Sequence, residues 1–103
     1  MLKEITDAGF NQVKNSPLPV ILEFWSPNCI HCRHMKNTVA SLAEELDGRV
    51  DIATVNILEN SLLPEEFGVS GLPAFFLLKD GRIAARALGA MPKGRLKKEL
   101  GLK

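Results

Sequence analysis

Val20-Ile21-Leu22-Glu23-Phe24-Trp25 constrains the fold more than any other stretch of the chain. Apart from Glu23 it is apolar without alternation. A strand of this kind has both faces buried, and such strands sit in the middle of sheets covered by helices on two sides. The run is followed closely by Cys29-Ile30-His31-Cys32, which holds the only two cysteines of the protein. Beyond them Cys32, Met35, Val39, Leu42 and Leu46 recur at steps of three and four, the spacing of one buried helical stripe. The sequence therefore predicts a central strand turning into a long helix, Cys29 to Asp47, with a sulfur pair at the joint. Glu23 has two readings: a strand-end carboxylate that reaches water, or a buried acid whose pKa is raised by burial.

The remaining segments supply the layers. Leu2 to Ile5 reads as a short strand. Thr6 stands where a helix N-cap stands, with Asp7 in the first turn, and Phe10 and Val13 give that helix a small apolar face. Asn15-Ser16-Pro17-Leu18-Pro19 is turn chemistry. Val50 to Ile57 reads as a second buried strand. Asn60 or Ser61 can cap a short helix running through Phe67, which Gly68 ends. Gly71-Leu72-Pro73 leads into a third core strand, Ala74 to Leu78, and Asp80-Gly81 makes a two-residue hairpin into Arg82 to Leu88. Pro92 begins a last helix with Leu96 and Leu100 on one face and Lys93, Lys97 and Lys98 on the other. Glu44, Glu45 and Asp47 crowd the C-terminal end of the long helix, where the helix dipole disfavours acids. The order β-α-β-α-β-α-β-β-α predicts an α/β fold: one domain over residues 1–103, a mixed central sheet and helices on both faces.

A chain of 103 residues fits one core. Its net charge of +1 points to neither nucleic acid nor an acidic membrane surface. No apolar stretch approaches the roughly 20 residues that span a bilayer. The N-terminal Met1-Leu2-Lys3-Glu4 lacks the apolar core of a signal peptide. A monomeric cytoplasmic protein without a cofactor is expected. In that compartment, paired cysteines at this spacing point to catalysis or metal binding rather than a structural staple.

The position of the pair favours catalysis. The thiolate is the nucleophilic form of cysteine. A helix N-terminus presents unpaired N–H groups and the positive end of the dipole, and both stabilise an anion at Cys29. His31, when protonated, adds to this effect, and Arg33 and His34 add positive potential. Cys32 lies one turn on and faces the core, within reach of Cys29. The expected cycle has two steps: Cys29 attacks a substrate disulfide, then Cys32 attacks Cys29 and releases the reduced substrate. A buried thiol holds its proton tightly, and Glu23, in the preceding strand, is placed to take it.

These segments resemble the thioredoxin family. The resemblance rests on Leu22-Glu23-Phe24-Trp25-Ser26-Pro27 followed by Cys29-x-x-Cys32-Arg33, on Gly68-Val69-Ser70-Gly71-Leu72-Pro73-Ala74, and on Leu78 to Arg82 with Leu88-Gly89-Ala90 and Lys93-Gly94. It covers essentially the whole chain. It implies the thioredoxin fold and a protein thiol–disulfide oxidoreductase, with Cys29 as nucleophile and Cys32 as resolving thiol. It puts Glu23 where the family often has a buried Asp, makes Pro73 cis, and lays substrate peptides across Trp25, Ile30, Leu72, Pro73, Gly89 and Ala90. It implies protein disulfide or dithiol substrates and electrons from a thioredoxin reductase, glutathione or another thiol carrier. Ile30, Leu72 and Met91 suggest an apolar docking surface.

The chain departs from the family pattern at several points. Ile30-His31 replaces Gly-Pro between the cysteines, and Asn28 replaces a second Trp. Thr54 stands where a lysine often accompanies the buried acid, and Asn37 where the long helix commonly has a proline. His31 before the second cysteine is similar to protein disulfide isomerases and periplasmic thiol oxidants. A reduction potential above thioredoxin's value of about −270 mV is expected. Blander readings stand beside these. The cysteines can be core residues, His31 and His34 surface residues, and Trp25 core packing. Cys29, Cys32 and His34 or His31 can offer ligands to zinc, although four are usual and no second Cys/His cluster exists. A thioredoxin-like binding module with little redox activity is the remaining alternative.

Overall fold

The computed structural model describes residues 2–103. In it the apolar run is β2 (Val20–Trp25), the middle strand of five. The others are β1 (Leu2–Glu4), β3 (Asp51–Asn56), β4 (Ala74–Lys79) and β5 (Arg82–Leu88), in the order β1-β3-β2-β4-β5. β1, β3 and β2 run parallel, whereas β4 and β5 are antiparallel to their neighbours. The helices are α1 (Phe10–Lys14), α2 (Ile30–Glu45), α3 (Leu62–Glu66) and α4 (Lys93–Glu99), with a 3-10 turn, Asp7–Gly9, before α1.

Alternation along β2 divides the core. Ile21 joins Ile52, Phe75 and Leu77 under Met35, Val39 and Leu42 of α2 and Leu96 of α4. Val20, Leu22 and Phe24 point the other way, to Val13 of α1 and Leu63 of α3. Glu23 belongs by alternation to the α2 face. Both faces of β2 are thus covered, which is why its sequence shows no polar side. The β4–β5 hairpin needs left-handed backbone at Asp80 (φ 54°) and Gly81 (φ 76°). A side chain on Gly81 would also meet Lys14 Cγ at 2.9 Å, so glycine is required twice over.

Two local expectations are corrected. Thr6 sits at the N-cap position of the Asp7–Gly9 turn, yet its side chain makes no capping bond. Asp7 serves a distant helix instead: its carboxylate accepts the N–H of Leu62 (3.2 Å) and of Leu63 (2.9 Å) at the start of α3. Neither Asn60 nor Ser61 therefore caps α3 with its side chain. Asn60 Oδ1 accepts the Asp7 N–H (2.9 Å), and Asn60 Nδ2 donates to the Asn56 carbonyl (3.0 Å). One of the acids at the end of α2 also finds a reason. Glu45 reaches across to Lys97 and Lys93 of α4. Hydrogen bonds from Lys97 first, then Lys93, hold its carboxyl below the usual range.

Candidate functional site

The chain leaves β2 at Trp25 and is turned by Ser26. The buried Ser26 hydroxyl accepts the Asn28 N–H (3.2 Å), and its carbonyl accepts the Cys29 N–H (3.1 Å). These bonds deliver Cys29 to the N-cap of α2 in extended conformation. Its Sγ accepts the N–H of Cys32 at 3.2 Å, the place a Ser or Asp oxygen takes in other helices. Cys29 is half-buried; Cys32 is 5% exposed and continues the stripe of Met35 and Val39. Burial, then the hydrogen bond with Cys29, pushes the Cys32 thiol up to about 12. Both sulfurs are free thiols.

Glu23 is also 5% exposed. In register it lies between Thr54 of β3 and Phe75 of β4. Burial raises its carboxyl from 4.5 to about 7. Among the described residues no donor hydrogen-bonds to it. A carboxylate in such a place costs free energy that a carboxylic acid partly avoids, so the proton is held to higher pH than on a free Glu. The snorkelling alternative is thereby corrected: the strand end is covered, and Glu23 is a buried acid.

Glu23 and Cys32 line one cavity of about 520 Å³ on the α2 side of the sheet. Trp25, Thr54, Val39 and Leu2 supply further walls, while Lys3, Glu4, Arg33 and Lys36 stand around its mouth. The Trp25 indole N–H is buried and has no hydrogen-bond partner among the described residues. Leu2 was not legible as part of the site. The only hint lies in the pairing of β1 with β3, where Leu2 and Glu4 flank Lys3 and fall on the Ile52–Thr54 side.

A second cluster comes from the other side of β2. Ala74 pairs with Phe24 and with Leu88, which brings Pro73 and Gly89 to the sheet end where β2 turns into α2. The Leu72-Pro73 bond is cis, and the buried Pro73 accepts the Gly89 N–H at 2.9 Å. Ile30, 53% exposed, and Ala90 are at the surface; Leu72 and Trp25 are half-buried. His31 and His34 are exposed. Met91 is not part of an apolar surface: it is buried, and its N–H meets Met35 Sδ at 3.4 Å. Its chain is drawn in because α4 packs against α2. Among the described residues no three His, Cys, Asp or Glu side chains converge on a point where a metal ion would sit.

A family model described as Thioredoxin matches residues 1–101. The thioredoxin of Haemophilus influenzae is 39% identical over 93 residues, covering 89% of this chain and 87% of that protein. The thioredoxin of Rhodospirillum rubrum is 36% identical over 96 residues, 92% of each chain. That of Porphyra purpurea is 33% identical over 100 residues, 96% of this chain and 94% of its own.

Proposed function

The chain belongs to the thioredoxin family and is a thiol–disulfide oxidoreductase, and from that premise we propose how its residues divide the work. Cys29 is the nucleophile and Cys32 the resolving thiol. The observation that carries this reading is the asymmetry of the pair: Cys29 is half-exposed with its sulfur on the amide of Cys32, and Cys32 is buried one turn on. The Cys29 thiolate attacks one sulfur of a substrate disulfide, forming a mixed disulfide and releasing the other sulfur as thiolate. Cys32 then gives its proton to Glu23 and attacks Cys29 Sγ. The Cys29–Cys32 disulfide forms, and the second substrate sulfur leaves reduced.

Glu23 suits the acceptor's part because a carboxyl near 7 is partly ionised at neutral pH, while the Cys32 thiol next to it is held near 12 by burial. Both line the same cavity, so a water molecule can carry the proton between them. His31, exposed beside Cys29, favours the reduced form whenever it is protonated, and we assign the pair a potential above about −270 mV for that reason. Substrate peptides lie across Trp25, Ile30, Leu72, Pro73, Gly89 and Ala90. The exposure of the apolar Ile30 and the partial exposure of Leu72 support that path.

Family membership implies protein disulfides as substrates and a reductase as electron source. We assign this chain net reduction of protein disulfides in the cytoplasm, as a monomer, with a thioredoxin reductase or another thiol carrier as donor. Residues 1–103 act as one domain, Met1 lying outside the described residues. Among the described residues no helix is long and apolar enough to cross a membrane. Insulin-disulfide reduction tests the reading. Cys29→Ser is expected to abolish turnover, and Cys32→Ser to accumulate a mixed disulfide with substrate. Mixed disulfide formed by Cys29→Ser instead would reverse the two roles, and no reduction by the wild type would leave a binding module.

A further inference from the structure

The cavity beside Cys32 has in its lining a carboxyl that no described residue engages by a hydrogen bond or ion pair. Glu23 is buried, lines the cavity, and has no hydrogen-bonding or ion-pairing partner among the described residues. Its register neighbours are Thr54 and Phe75, neither of which carries charge. A ligand that brings a donor to this point gives the carboxyl a partner that no described residue supplies. The volume, about 520 Å³, falls within the roughly 300–1,000 Å³ of small-molecule sites. The walls above Glu23 are apolar: Leu2, Val39 and the Trp25 ring.

We propose that this cavity is a binding site for a small amphiphilic organic cation, with an apolar body against Leu2, Val39 and Trp25 and an amidinium or ammonium head on Glu23. An amidinium matches a carboxylate in a two-point contact, which is the strongest geometry for such a pair. The mouth carries charge of both signs. Lys3 is engaged by Gln12 Oε1 at 3.1 Å, and Glu4 lies on the same strand. Arg33 and Lys36 are exposed, where water and salt screen them. The carboxyl at the bottom lies in a lower dielectric and governs which head group is held. This site goes beyond the redox reading but shares Glu23 and Cys32 with it, so a cation seated on Glu23 occupies the proposed proton acceptor.

The test is an NMR titration of the full-length reduced protein with benzamidine, with neutral benzamide as the matched control. Saturable shifts at Glu23, Thr54 and Val39 are expected, with benzamide at least tenfold weaker. Glu23→Gln is expected to weaken benzamidine at least tenfold. Thr54→Lys places an ammonium inside the cavity and is expected to do the same, which keeps the test decisive if either variant fails to fold. Shifts that do not saturate, shifts centred on exposed carboxylates, or unchanged affinity in a folded Glu23→Gln or Thr54→Lys variant would overturn the site. Equal binding of benzamide and benzamidine would overturn the choice of a cation.

Discussion

Glu23 and Phe24 are consecutive residues of β2, and they end in opposite surroundings. Phe24 is fully buried among rings: its centroid lies 5.7 Å from that of Phe76, edge to face, and 5.5 Å from that of Phe67. Phe67 in turn meets Phe76 at 5.1 Å and Phe10 at 5.7 Å. Glu23 faces a cavity with no bonding partner beside a buried thiol. One face of the sheet is packed, and the other is left open where the chemistry is. Preorganised sites give up packing and tolerate unpaired polar groups, and the rest of the core must offset this. The two faces share one strand, so each can be disturbed without touching the other.

The largest effect on stability is expected from Phe24→Ala. It removes a fully buried ring and its edge-to-face contacts, a loss of about 3–5 kcal/mol. Urea unfolding should show this as a lower midpoint. Insulin reduction, measured where the variant remains folded, should keep its wild-type rate. A turnover defect in folded Phe24→Ala would mean that the aromatic face also shapes the site.

Glu23→Gln attacks the other face and has a pH signature. Below about pH 4.5 the carboxyl is protonated in both folded and unfolded chains. As the pH rises toward 7 the unfolded chain releases this proton while the folded chain keeps it, so folding stability falls. By pH 8 the loss amounts to about 3 kcal/mol, from 1.36 kcal/mol per pH unit. Gln does not titrate, so the variant should gain on the wild type by that amount between pH 4 and pH 8. Urea curves for both proteins across this range measure the gain directly. A constant difference would show that Glu23 is already ionised in the folded state. The same variant should slow resolution of the mixed disulfide near neutral pH.

Local pattern carried the sequence reading far because burial follows residue by residue. The unbroken run Val20 to Trp25 is the middle strand, and the stripe from Cys32 to Leu46 is the inner face of α2. From those two facts the half-exposed and buried members of the sulfur pair could be told apart. The readings that failed concern contacts between distant segments. Met91 looked like surface, but α4 carries it under α2 toward Met35. Leu2 does lie in a short strand, as its sequence suggests, but its place in the cavity wall follows only from the pairing of that strand with β3. Periodicity says which side of an element is inside; it does not say which other element comes to cover that side.

Asp7 shows the same lesson at the smallest expected effect, on the packed face. α3 has only five residues, too few to be stable by itself. Its first N–H groups, from Leu62 and Leu63, are satisfied by the Asp7 carboxylate, 55 and 56 residues away in sequence. Asn60 joins the same network by accepting the Asp7 N–H and donating to the Asn56 carbonyl at the end of β3. Asp7→Ala should therefore lose about 0.5–2 kcal/mol, the range for removal of an N-cap. Asp7→Asn keeps one acceptor oxygen and should lose less. Hydrogen exchange should quicken at Leu62 and Leu63 while the amides of α2 stay protected, and insulin reduction should not change. If Asp7→Ala instead speeds exchange in α2, or alters turnover in a folded protein, the two faces are coupled through β2, and the division between a packed side and a working side does not hold.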